Sequence, residues 1–106
     1  MEISFDVFLK NFRGETVKHV KKEGEKEVVE DLSLKSACVE ALMGVYQDEQ
    51  ALSGEDKIKR YALAEKIFLE GKVDLNAEDI ALLKKLVAKM FSPVVVGPAW
   101  RLLEGK

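Results

Sequence analysis

Residues 3–9 alternate, with Ile3, Phe5, Val7 and Leu9 on one face and Ser4, Asp6 and Phe8 on the other. A period of two predicts a strand. Phe12-Arg13-Gly14-Glu15-Thr16 supplies a turn, with Gly14 free to take positive φ. Residues 16–20 then read as the return strand, residues 21–26 as a charged loop, and residues 27–30 as a third short strand. The period changes at Ser33. Leu34, Ala37, Cys38, Ala41, Leu42 and Val45 recur at three and four, the spacing of one helical face, and Ser33 is the natural N-cap.

Two further helices follow the same logic. Ser53 caps one with Asp56 three residues on, and Ile58, Tyr61, Leu63, Ala64, Ile67 and Phe68 are expected as its broad buried face. Glu55–Lys59 and Asp56–Arg60 read as i,i+4 pairs on its exposed side, and Gly71 as its terminating residue. Residues 72–75 read as an extended connector. Asn76 caps the next helix, with Ile80, Leu83, Val87 and Met90 inside, Leu82 and Leu86 beside them, and Lys84, Lys85 and Lys89 outside. Ser92-Pro93 restarts the chain as N-cap and N1. Pro98 lacks a donor and clashes one turn back, so the pattern predicts a turn at 93–96, a break or kink at Gly97, and a helix over 98–103.

These elements describe one α+β domain over residues 1–106. A hairpin or three-stranded meander fills residues 1–30, and three helices with a short kinked fourth fill residues 33–104. A length of 106 residues is enough for a core. Charged residues make up 34% of the chain, with both signs interleaved, which argues against disorder. The net charge of −2 disfavours a dedicated nucleic-acid binder. Residues 84–106 carry five basic residues against Glu104 alone, a bias that suits a helix C-terminus. A single cysteine gives no disulfide framework, and no secretory pattern or span of about 18 apolar residues occurs, so a cytoplasmic setting without membrane insertion is expected.

Candidate chemistry is sparse. His19 is the only histidine and reads as a solvated strand residue. Cys38 reads as a buried thiol, with no base to activate it. Residues 68–79 mimic half an EF-hand but place Phe68 and Leu69 where oxygen ligands belong. Acidic pairs such as Asp48-Glu49 read as solvated charge. No phosphate-binding glycine loop or HExxH is present. No catalytic residue, cofactor or metal is expected, and the chain is not expected to be an enzyme.

Phe91, Val94, Val95 and Trp100 are the candidate protein-binding residues, because tryptophan is enriched at interface hot spots. Closure of the domain's own core is the other use open to them. Lys10, Arg13, Lys18 and Lys22, near Phe8 and Phe12, are the candidate nucleic-acid contacts of an alternative reading, opposed by Glu15, Glu23, Glu25 and Glu27.

Half of the chain carries a family likeness. Leu52-Ser53-Gly54-Glu55-Asp56-Lys57, Arg60-Tyr61-Ala62-Leu63-Ala64, residues 75–84 and Ser92-Pro93-Val94-Val95-Val96-Gly97-Pro98-Ala99-Trp100 resemble a type of small protein encoded by bacteriophages and prophages. Pro98 departs from that pattern, in which a polar residue continues the helix. The resemblance implies an accessory protein that acts by binding, in phage assembly or host interaction, and it assigns no site residue. The expected function is therefore a non-catalytic protein-binding or assembly module, with a protein partner or self-association. The alternative is a nucleic-acid-associated regulator that uses the basic hairpin.

Overall fold

The structure, a computed structural model, describes residues 1–49 and 51–105, without the side chains of residues 21–23. The chain is α+β. In order it forms β1 (Glu2–Ser4), β2 (Lys18–Glu23), β3 (Lys26–Asp31), α1 (Leu34–Met43), a 3-10 turn at Gln47–Glu49, α2 (Gly54–Glu70), β4 (Lys72–Asp74), α3 (Ala77–Met90) and α4 (Pro93–Leu103). The helices begin where the caps predict. Ser33, Ser53 and Asn76 each accept from the backbone N–H three residues on. Gly71 ends α2 at φ 71°, a conformation that disfavours any Cβ, and an added Cβ there would also collide with Asp6.

The strands pair differently from the expected meander. The expected pairing of the first segment with residues 16–20 is limited to an antiparallel bridge between Lys10 and Thr16 and the Val17–Leu9 hydrogen bond, and β1 itself takes no part in it. β1 lies antiparallel to β4, the segment expected as a connector, with Ile3 opposite Val73. Both are buried between exposed polar neighbours, so three residues per strand suffice to tie the start of the chain to the connection between α2 and α3. The expected charged loop at residues 21–26 is instead the tip of the β2–β3 hairpin, with Val20 opposite Val29 and Glu23 opposite Lys26. Gly24, at φ 64°, opens its two-residue turn. Alternating charge hid this strand, because the run of Lys and Glu over residues 21–27 has no apolar period to read.

The ribbon is anchored at its base by a closed ring of three main-chain hydrogen bonds. Leu9 N–H donates to Leu32, Leu32 to Val17, and Val17 back to Leu9, at 2.8–2.9 Å. All three side chains are buried.

α1 is the central helix, packed against α2, α3 and α4. Its Leu34, Ala37, Cys38, Ala41 and Leu42 are buried as expected, but it stops at Met43, so Val45 lies beyond the stripe in solvent. Leu83, Leu86 and Val87 of α3 face it, with Ile80 and Leu82 half-buried; Met90 falls outside this stripe.

α4 corrects the expected break, because it runs through Gly97 and Pro98 as one helix. Val95, Ala99 and Leu103, spaced by four, are all buried along one side. Continuing the helix keeps that side on the core, which offsets the roughly 3 kcal/mol that an interior proline costs.

Candidate functional site

α2 departs most from its predicted burial. Ala64 and Ile67 reach the core, Leu63 is half-buried, and Arg60 is buried as well. Ile58, Tyr61, Phe68 and Leu69 remain exposed, at 70%, 57%, 61% and 72%. Their spacing of three, seven and one residues places them along one outer face, with exposed Ala62 and Glu65 between. Met43, at the end of α1, and Val45 extend this face. Two open depressions flank it. One, of about 550 Å³, includes Met43, Val45, Glu49, Arg60 and Tyr61; the other, of about 310 Å³, includes Val39, Met43, Tyr61 and Phe68. Met43 and Tyr61 are common to both, so the surface is continuous.

A cluster of charges beside this face is closed on itself. Arg60 does not pair with Asp56 as the helical spacing predicts. It donates twice to Glu49, at 2.9 and 2.6 Å, and both side chains are nearly covered. Glu49 is therefore no solvated end-of-element acid. The Arg60 hydrogen bonds hold its carboxyl below the usual carboxylate range. Lys89 joins from α3, 2.9 Å from Asp48 and 3.8 Å from Glu49, with its ammonium over the Tyr46 ring. The Tyr46 hydroxyl donates to the Ala41 carbonyl at 2.7 Å. This clasp fixes the connection between α1 and α2 against the end of α3. Arg60, Glu49, Lys89 and Asp48 are thus each paired within the group.

The candidate docking residues near the C-terminus do not form one exposed patch. Val95 is in the core. Phe91 is half-buried and meets the His19 ring edge-on, 6.0 Å between centroids. His19 is itself half-buried beside Glu40 at 3.5 Å, so it is not the solvated residue expected. Trp100 is half-buried and donates to the Lys84 carbonyl at 3.0 Å. Only Val94 is exposed.

The candidate nucleic-acid residues also separate. Lys18 is paired with Asp31. The side chain of Lys22 lies outside the described residues. Lys10 and Val94, one from each predicted set, line a common groove of about 490 Å³ with Phe12, Pro98 and Arg101. Phe12 is 93% exposed, and the Arg13 guanidinium lies 5.8 Å from its ring centre. The turn that carries it is ordered, because Asn11 Oδ1 accepts from the N–H groups of Arg13 and Glu15, and Gly14 N–H donates to Asn11.

Cys38 is fully buried, which pushes its thiol up to about 12 and leaves it protonated at neutral pH. Among the described residues, no group of three or more His, Cys, Asp or Glu side chains could hold a metal ion, and no helix is long and apolar enough to cross a membrane. The exposed apolar face of α2 was missed because its residues share the helical period with the buried ones. The available signal was their number: Ile58, Tyr61, Leu63, Ala64, Ile67, Phe68 and Leu69 exceed what one buried face of a helix holds. No family model, curated protein or solved structure matches the chain.

Proposed function

We propose that this protein is a non-catalytic binding or assembly module that docks other protein surface through the outer face of α2. The observation that carries the reading is the row Ile58, Tyr61, Phe68 and Leu69, each more than half exposed on a helix whose other side already packs the core. Contiguous exposed apolar surface of this kind marks interaction sites in soluble domains. Of this row, Tyr61 is among the residues that resemble small phage and prophage proteins, for which a binding role is the implied one. The Arg60–Glu49 clasp holds α2 in place without using its outer side.

The test compares affinity capture by the wild-type chain and by Leu69→Lys, with unfolding measured for both. A protein retained by the wild type and lost by the variant, at unchanged stability, supports the reading. Identical capture profiles overturn it. Association with nucleic acid is the second reading. It is favoured by Lys10, Arg13 and Arg101, which surround exposed Phe12 with basic groups and no lining carboxylate. Three such groups offer few phosphate contacts, and salt-dependent binding of a single-stranded oligonucleotide tests it directly.

A further inference from the structure

The outer face of α2 has an internal arrangement that identifies what covers it. Ile58, Tyr61, Glu65 and Phe68 follow each other at three, four and three residues, the seam rhythm of helices that pair side by side. Three of these positions are apolar or aromatic, and one, Glu65, is a carboxylate. The only hydroxyl in the row, that of Tyr61, stands one helical turn from it. We infer that this face is a two-fold self-docking surface, on which α2 of a second copy of this chain lies antiparallel. The inference rests on the binding reading above.

The face is self-complementary. With two copies antiparallel and centred near Leu63, Ile58 meets the partner's Phe68, and Tyr61 meets the partner's Glu65. Each contact occurs twice, as two-fold symmetry requires. The Tyr61 hydroxyl donates to the partner's Glu65, so the single charge in the seam has a partner, and a polar group at one seam position sets the register. An apolar surface of a different protein would leave Glu65 covered and unpaired, which is costly. Antiparallel packing also sets the two helix dipoles in opposition.

The available area is sufficient. Ile58, Tyr61, Phe68, Leu69 and Met43, each more than half exposed, leave open roughly 700 Å² per copy, close to the ~800 Å² per partner of a standard interface. α2 is about 25 Å long at 1.5 Å per residue, enough for the whole row to engage.

Sedimentation equilibrium of the full chain, from about 1 to 200 μM, tests the inference, with Phe68→Lys as the disrupting variant. Circular dichroism and thermal melting check that the variant folds. The expected result is a species of twice the 11.9 kDa chain mass for the wild type, and a folded monomer for Phe68→Lys. Orientation is read by disulfide formation in Ala62→Cys and Glu55→Cys, two exposed positions seven residues apart on the same side of α2, since the one native thiol, Cys38, is buried. Antiparallel pairing brings the two Ala62 positions together and holds the two Glu55 positions apart, so only Ala62→Cys links. Equal linking at both sites overturns the antiparallel arrangement. A wild-type monomer throughout the range overturns self-docking and leaves the broader binding reading to the capture experiment. A dimer indifferent to Phe68→Lys overturns this surface while supporting assembly by another.

Discussion

The indole N–H of Trp100 donates to the main-chain carbonyl of Lys84 at 3.0 Å, and the Lys84 ammonium lies over the same indole ring, 4.6 Å from its centre. The ammonium is also 3.5 Å from Glu104. One lysine therefore ties the end of α4 to the middle of α3 through its backbone, its charge and its position over the ring. A helix of eleven residues with an interior proline has little stability of its own, so these contacts and the Val95–Ala99–Leu103 side hold it.

Trp100→Ala removes all the indole contacts at once and is expected to destabilise the chain by about 3 kcal/mol. Trp100→Phe keeps most of the apolar contact, loses the N–H bond, and is expected to cost about 1 kcal/mol. Urea denaturation of the two variants measures the difference. Equal losses would mean that packing contributes nothing beyond the hydrogen bond.

The Arg60–Glu49 pair predicts both a mutational and a pH effect. Glu49→Gln leaves a covered guanidinium without its carboxylate and is expected to cost about 3 kcal/mol. The folded-state pKa of Glu49 is lowered, chiefly by the Arg60 hydrogen bonds. Its contribution is therefore complete above the unfolded value of about 4.3 and is lost as pH falls through the lowered folded value. Stability should decline on acidification below about pH 5, and less steeply in Glu49→Gln. Parallel denaturation series at several pH values report the two slopes; equal slopes would remove Glu49 from the account.

Cys38 should resist thiol reagents under native conditions and react only after unfolding, because the thiol is fully covered and held protonated. Cys38→Ala is expected to cost about 1–2 kcal/mol through lost packing. Labelling with a chromogenic disulfide reagent in buffer and in denaturant checks this. Rapid native labelling would show that α1 opens.

Sequence-specific binding of DNA or RNA is not expected at physiological salt. The basic residues of the β2–β3 ribbon are interleaved with Glu23, Glu25, Glu27 and Glu30, and Lys18 is paired with Asp31. A tight gel shift that weakens steeply with salt and disappears in an Arg13→Ala, Arg101→Ala variant would contradict this.

The helices were legible because caps and apolar spacing agree: Ser33, Ser53 and Asn76 mark their starts, and Leu34 to Leu42 and Leu83 to Val87 mark their inner sides. The strand pairing was not legible. β1 meets β4 across nearly seventy residues, and three-residue strands carry too little pattern to announce a partner. Pro98 gave a correct local signal that a tertiary one overrode, since Val95, Ala99 and Leu103 bury a continuous side only if the helix continues. The candidate face was hidden in plain periodicity. Nothing in the spacing of Ile58, Tyr61, Phe68 and Leu69 distinguishes a residue that packs inward from one that waits for a partner. The clasp escaped for another reason, because Arg60 has a nearer helical partner in Asp56 and takes Glu49 only when the loop folds back.

The central claim is that the outer face of α2 is surplus to the fold. Denaturation of the Ile58→Ser, Leu69→Ser double variant, taken with sedimentation of the same sample, tests this most directly. Substitution of exposed side chains changes monomer stability by no more than about 0.5 kcal/mol each. The account predicts a folded variant whose association is lost and whose unfolding, compared with the wild type at concentrations low enough to leave both monomeric, is unchanged within about 1 kcal/mol. A loss of more than about 3 kcal/mol, with no change in mass, would contradict it, because Ile58 and Leu69 would then belong to the core of the domain.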